Sequence, residues 1–309
     1  MIHASAPGKL ILFGEHVGRH GKPVVVFAIN RRLNVYITPL DENKILMTSE
    51  DLGAREEAYP SRKLDMVSGA IKAFFERTGS NGKFRIETKA DIRGGFGSSG
   101  AAIVSTLGAL DAYFGTGLTK GEMLRIGLEV EREVSGVGSG IDIASALWGG
   151  MILYQKGADV KPIKYKEFPI VVGNTGFKAK SKPIVDEVTR LEKKYPAIFK
   201  SVIENIGDIA MEAVVALEKN DLQRIGELMN VNHGLLYAEG VSSIELERLV
   251  WAARSAGAIG AKLSGAGKGD NMLALSPAKI DDVRTAIKKA GGIVEDLSVE
   301  PQGLTIHTT

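Results

Sequence analysis

The sequence predicts an α+β protein in two halves, divided near residue 155, and three observations carry that expectation. The segment Lys83 to Arg93, "KFRIETKADIR", alternates. Phe84, Ile86, Thr88, Ala90 and Ile92 fall on one face, and Arg85, Glu87, Lys89, Asp91 and Arg93 on the other, as in a strand with one dry side and one wet side. From Ser99 the period changes, and Ile103, Leu107, Leu110 and Phe114 recur at helical spacing. Along the whole chain, strands and helices follow one another without the steady alternation of a parallel α/β sheet.

In order, a short strand lies in "SAPGKLILFGEH" near the start, and "KPVVVFAI" and "RRLNVYITPL" read as two more, so the first third is strand-rich. The helix that begins at Ser99 is followed by one opening at Thr119, where Glu122 completes a capping box, and running to about Val134. "WGGMILYQKG" is a strand ending in a turn, and the second half begins near Gly157. Its helices start at Pro183, a favoured first-turn residue, run long from about Ile203 to Leu217, and restart at Ser242 with Glu245 completing another capping box. The strands "FPIVVGN", "NMLALS" and "GLTIHTT" lie among or after them, and no tandem repeat or low-complexity segment interrupts the chain.

Composition narrows the chemistry. The 309 residues include no cysteine, which excludes disulfides, thiolate catalysis and cysteine metal sites. Basic and acidic residues, 39 and 37, are spread along the chain and leave a net charge of +2, so no nucleic-acid or membrane partner is expected and a small-molecule substrate is. The apolar run at the start is broken by Lys9 and Glu15, unlike a signal peptide, and no stretch approaches the roughly 18 to 20 apolar residues of a membrane span. The expected location is cytoplasmic.

The stretch "GGFGSSGAA", Gly94 to Ala102, places four glycines and two serines directly before a helix. A dinucleotide loop would follow a strand buried on both faces, and the alternating strand here speaks against it. A Walker loop needs a lysine at its end, and there is none. What remains is a turn whose backbone amides, with those of the next helix's first turn, can grip an anion, with Ser98 and Ser99 adding hydroxyls for phosphate or Mg²⁺. A loop that simply needs positive φ angles is the plain alternative. Two further segments bear on the choice: "SAPGKLILFGEH" sets Lys9, Glu15 and His16 around the first strand, and "KLSGAGKGD", Lys262 to Asp270, forms a second glycine loop.

Together these segments resemble the three motifs of the GHMP small-molecule kinases, which phosphorylate galactose, homoserine, mevalonate and phosphomevalonate. "APGKLILFGEHVGRHGKPVV" looks like the first motif, "GGFGSSGAA" the second and "KLSGAGKGD" the third. "EREVSGVGSGIDIASALWGG", "VVGNTGFKAKSK" and "GVSSIELERLVWAARSAGAIGAKLSGAG" resemble the mevalonate-phosphorylating branch, so the likeness spans nearly the whole chain in order. The resemblance implies a two-domain fold: residues 1–155 as an N-terminal ATP-binding βαβ domain like that of a ribosomal protein, residues 156–309 as a C-terminal ferredoxin-like α/β domain, and an active-site cleft between them.

It also implies roles. ATP would lie along Gly94, Gly95, Phe96, Gly97, Ser98, Ser99, Gly100 and Ala101, with Mg²⁺ held by Ser99, or Ser98 as second choice, and by Glu131. Asp142 in "GSGIDIAS" matches the catalytic aspartate and Lys9 the lysine that pairs with it, although an aspartate there could equally be a helix N-cap. Asp142 would accept or orient the proton of the acceptor hydroxyl, and Lys9 would keep Asp142 ionised and offset charge on the phosphoryl group in a direct in-line transfer. Glu15, His16, Arg19, Ser181, Gly265 and Ala266 fall on the acceptor side, and a homodimer is an open option.

Four departures from the pattern concern the acceptor. Gly18, Arg19 and His20 replace apolar residues and a Tyr or His. Lys178, Lys180 and Lys182 surround Ser181 where an arginine is expected before it. Lys268 and Asp270 enter the third motif, and Gly100 stands where alanine is usual. Extra cations could bind a second phosphate, so a mevalonate phosphate is the alternative to mevalonate. An RNA-binding module on the same βαβ scaffold lacks the basic and aromatic stripe that it would need. The joint presence of Lys9, Glu131 and Asp142 argues against a catalytically inactive regulator.

Overall fold

The computed structural model of the chain describes residues 1–92, 95–136, 138–166 and 168–308. The first part of the chain forms β1 (Ile2–Phe13), a 3-10 turn (Gly18–His20), β2 (Val24–Pro39), β3 (Ile45–Ser49), β4 (Ala54–Ala58), α1 (Asp65–Thr78), β5 (Phe84–Ala90), α2 (Ser98–Phe114), α3 (Lys120–Ser135) and α4 (Ile141–Trp148). Then come β6 (Met151–Tyr154), β7 (Lys161–Pro162), β8 (Ile170–Asn174), α5 (Ser181–Lys194), α6 (Pro196–Glu218), α7 (Leu222–Ala238) and α8 (Ile244–Ser255). The last elements are β9 (Gly260–Ser264), β10 (Asn271–Leu275), α9 (Ile280–Lys289), β11 (Ile293–Glu295) and β12 (Thr305–Thr308). These elements divide into two compact units. One consists of Met1–Lys9, Ala28–Gly150 and Glu300–Thr309, and the other of Leu10–Phe27 and Met151–Val299.

In the first unit the sheet order is β12-β1-β2-β5-β3-β4. β12 runs antiparallel to β1, β5 runs antiparallel to β2 from Leu33 opposite Ala90 to Pro39 opposite Phe84, and β3 runs parallel to β5. The alternation read in β5 is borne out: Phe84, Ile86 and Thr88 are buried while Lys89 is exposed. The dry face packs into an aromatic cluster in which the Phe84 ring lies 6.5 Å from Phe75 of α1 and 5.7 and 6.2 Å from Tyr113 and Phe114 of α2. α2 is buried at every residue from Gly100 to Leu110, as its all-round apolar sequence demands. The capping box at Thr119 and Glu122 forms as read. Arg32 ties down the final segment, donating to Ser5 Oγ at 2.7 Å and to the Gly303 and Gln302 carbonyls at 2.7 and 2.9 Å.

The second unit is built on the antiparallel sheet β11-β8-β10-β9. Numbered from β8, this is the order 4-1-3-2 of the ferredoxin-like arrangement, with α5 to α8 inserted before β9. Its core joins Val171, Leu246, Leu249, Val250, Leu263, Met272, Val283 and Ile287.

Several readings shift. "KPVVVFAI" and "RRLNVYITPL" are one strand, β2, which pairs with β6 through Val24–Phe27 and with β5 through Leu33–Pro39. α8 is capped by Ser243, not Ser242: the Ser243 hydroxyl accepts the Leu246 N–H at 3.3 Å, while the Ser242 hydroxyl donates to Glu247. α5 begins at Ser181, so Pro183 lies inside its first turn, where the missing N–H has no helical partner to lose. α6 is longer than read because Pro196 fits its first position.

Candidate active site

In the first unit, the glycine stretch closes onto two charged side chains. Gly97 has φ +77°, and a Cβ there would stand 2.9 Å from Lys9 Cγ and 3.4 Å from Asp142 Oδ2. Only glycine allows both the left-handed backbone and the close approach. Gly97 is also the N-cap of α2, and no side chain caps that end. The first-turn amides of Ser98, Ser99 and Gly100 therefore have no intrahelical carbonyl and face outward with the positive end of the helix, an anion-binding geometry. The loop is anchored from below: the Lys9 N–H donates to the Phe96 carbonyl at 2.8 Å, and a Cβ on Gly8 would come within 2.5 Å of that oxygen. The Phe96 side chain is buried, so this residue offers the loop its backbone. Ser98 and Ser99 are half-buried, Gly100 and Ala101 buried, and Gly94 lies outside the described residues.

Lys9 Nζ lies 3.1 Å from Asp142 Oδ1, with the two side chains 11% and 24% exposed. Asp142 is not a cap. Gly140, at φ +81°, caps α4, and Asp142 sits in the first turn, at the positive end of the helix. On α3, Glu131 Oε2 accepts the Gly140 N–H at 3.1 Å. Burial, together with the negative charge of Asp142, pushes the Glu131 carboxyl up to about 7, against the pull of that N–H and of Lys9. Glu131 and Asp142 are thus two mutually repelling carboxylates close to Lys9, with Arg132 adding a further pull on Glu131. Among the described residues no group of three or more His, Asp or Glu forms a closed cage. Such a hard, sparse oxygen set suits a small divalent cation that keeps water or phosphate oxygens as its other ligands.

In the second unit, Glu15 has no exposed surface. Lys262 Nζ of β9 bonds Glu15 Oε1, and Asn232 Nδ2 of α7 donates to Oε2 at 3.4 Å. Burial pushes the Glu15 carboxyl up and the Lys262 ammonium down, each opposed by the other's charge. His16 has φ +64°, and its Nε2 meets the Ala266 carbonyl at 3.0 Å, which requires the proton on that nitrogen. Burial lowers this imidazole to about 4, so it stays neutral. Arg19 donates to the His16 carbonyl at 3.2 Å and to Thr189 and Glu192 of α5. Gly265, at φ +94°, and Ala266 form the turn after β9, both half-buried. Glu15, His16, Arg19 and Ala266 are thus brought together. Ser181 is exposed at the first residue of α5, eight residues and so about 12 Å along the helix from Thr189. Lys178, Lys180 and Lys182 are exposed beside it, with Lys182 3.9 Å from Asp186, and Lys268 pairs with Glu187.

Three residues here carry no reading from the sequence: Lys262, Asn232 and Glu239. Glu239, the C-cap of α7, is 1% exposed, and neither carboxyl oxygen has a hydrogen-bond partner. Burial and the nearby Glu192 push it up to about 8.

Residues 65–150 match the family described as GHMP kinases N terminal domain, and residues 213–293 match GHMP kinases C terminal. The mevalonate kinase of Thermococcus gammatolerans is 38% identical to the chain, over 99% of this chain and 98% of that protein. The chain belongs to the GHMP kinase family. As a member it is an ATP-dependent kinase, a phosphotransferase with an alcohol acceptor. This GHMP kinase is similar in structure to L. major mevalonate kinase in complex with R-mevalonate, with a TM-score of 0.78, 30% identity, and 97% and 96% of the two chains covered. A Lin0012 protein from Listeria innocua shares the fold, with a TM-score of 0.90 at 18% identity, covering 100% of this chain and 99% of that one. The resemblance read from the three motifs is upheld. No helix among the described residues is long and apolar enough to cross a membrane.

Proposed function

We propose that this kinase transfers the γ-phosphoryl group of ATP to the 5-hydroxyl of mevalonate. The observation that carries the reading is the Lys9–Asp142 pair beside the uncapped N-terminus of α2. It is supported by the full-length similarity to proteins named mevalonate kinase, including those of T. gammatolerans and of L. major, the latter with R-mevalonate bound.

The charges set the division of labour. Backbone amides of Gly95 to Gly100, at the positive end of α2, take the triphosphate oxygens without adding a titratable group. Asp142, paired with Lys9 at the first turn of α4, accepts the proton as the acceptor hydroxyl oxygen bonds to the γ-phosphorus. The bond from that phosphorus to the β–γ bridging oxygen breaks, and ADP leaves with the electron pair. Lys9 offsets charge on the phosphoryl oxygens during the transfer. Ser99 and Glu131 are the residues that would hold Mg²⁺, which would supply charge neutralisation for the phosphates. On the acceptor side His16, Arg19, Ser181, Gly265 and Ala266 are the proposed contacts, with Glu15 behind His16. Residues 1–155 carry the nucleotide functions together with Glu15, His16 and Arg19 of the acceptor side, and residues 156–309 carry Ser181, Gly265 and Ala266.

A phosphorylated mevalonate is the second reading, favoured by Lys178 and Lys180 at the Ser181 loop. Two of the nearby cations, Lys182 and Lys268, already face Asp186 and Glu187, which weakens it. ADP release measured with mevalonate, mevalonate 3-phosphate and mevalonate 5-phosphate separates the two. The proposal expects mevalonate to have the highest kcat/KM, and a strong preference for a phosphorylated acceptor overturns it.

A further inference from the structure

Lys262 opens the third glycine motif, and nothing in the transfer uses it. It lies on β9 with no exposed side-chain surface, bonding Glu15 Oε1 and, at 2.7 Å, the Leu263 carbonyl. Glu15 is equally buried, with Asn232 on its other oxygen. The same two segments are joined again where Ser264 Oγ donates to the Ile11 carbonyl at 2.8 Å. A desolvated ion pair adds little net stability compared with an apolar pair of the same volume, so its effect is to be sought in the geometry that it fixes. The next residue after Glu15 is His16, whose left-handed φ of +64° is strained for a residue with a side chain. Its ring Nε2 reaches the Ala266 carbonyl at 3.0 Å, four residues on from Lys262. Residues 15 and 16 are therefore pinned at two points to the one run from Lys262 to Ala266.

We propose that Lys262 is a positioning residue for the acceptor side of the reaction. Through Glu15 it locks His16 against the third glycine turn, so that His16 meets the acceptor while Lys262 and Glu15 do not. The kinetic part of this rests on mevalonate being the acceptor; the clamp itself does not.

The double variant Glu15→Gln with Lys262→Met keeps both side-chain volumes and removes both charges. Its thermal midpoint is expected within about 5 °C of the parent, because the shape of the core is retained. Nitrogen NMR of the His16 ring should lose the signature of an Nε2–H held by a carbonyl. KM for mevalonate should rise about ten- to hundred-fold, as for a misplaced contact, while KM for ATP stays unchanged. Adding His16→Ala to the double variant should change kcat/KM by no more than about two-fold, because both act on one contact. An unmoved His16 signal, or effects of His16→Ala and of the double variant that multiply, overturns the proposal. Should the double variant not fold, Asn232→Ala removes one bond to Glu15 and no charge; a shifted His16 signal there supports the clamp and an unshifted one overturns it. A parent enzyme that transfers nothing to mevalonate sinks the acceptor reading, while the His16 signal still decides the clamp.

Discussion

Gly100 and Asp142 pack directly on each other: a Cβ on Gly100 would stand 2.6 Å from the Asp142 Cβ and 2.8 Å from its carbonyl carbon. No flexible side-chain end is available to move aside, so a larger residue must push α4 away from α2. Gly100→Ala should therefore displace Asp142 from Lys9 and lower kcat about ten-fold or more. Overpacking should also destabilise the protein by about 1–3 kcal/mol. Steady-state kinetics beside thermal unfolding check both, and an unchanged kcat would mean that α4 does not fix the aspartate.

Glu131 offers a different handle. Replacing it with glutamine keeps the Gly140 contact but removes the negative charge that the proposed Mg²⁺ would meet. The Mg²⁺ concentration for half-maximal rate should rise about ten-fold or more. A Mg²⁺ titration at saturating ATP reads this directly, and an unmoved midpoint removes Glu131 from the metal site.

Part of this was legible in the sequence and part was not. β5 and α2 declare themselves because one face of Phe84 to Ile92, and nearly all of Gly100 to Leu110, must be dry. The glycine run before α2 stood out in the sequence, although its proposed phosphate role, like those of Lys9, Glu131 and Asp142, entered only through the family likeness, since alone it reads as a turn and each of them as a surface charge or a cap. α7 stayed hidden because Gly226, Gly234 and two asparagines weaken its helical signal. Gly226 is there for close packing, as a Cβ on it would lie 2.8 Å from the Ile259 carbonyl oxygen. Lys262 stayed hidden for a related reason: "GAKLS" is buried on both faces, so it has no period against which a misplaced lysine stands out.

Glu239 should make stability fall with rising pH. Its carboxyl is pushed from the ordinary 4.5 up to about 8 by burial, with Glu192 and Glu15 raising it and Arg19 lowering it. The folded state thus binds a proton that the unfolded state releases above 4.5, so stability is lost as pH climbs from about 4.5 through 8. Glu239→Gln mimics the protonated form and should be more stable than the parent by on the order of 2–4 kcal/mol at pH 8, with no gain below pH 4.5. Unfolding curves from pH 4 to 9 test this, and a gain that does not vary with pH contradicts it.

The Lys9–Asp142 couple is the centre of the account. Asparagine at position 142 preserves shape but can neither accept the acceptor's proton nor pair as an anion with Lys9. Single-turnover transfer from bound ATP to mevalonate, measured for Asp142→Asn alongside ATP affinity, tests it most directly. The predicted result is a rate lower by about 10²- to 10⁴-fold with nucleotide affinity within about three-fold of the parent. A near-normal transfer rate would contradict the account.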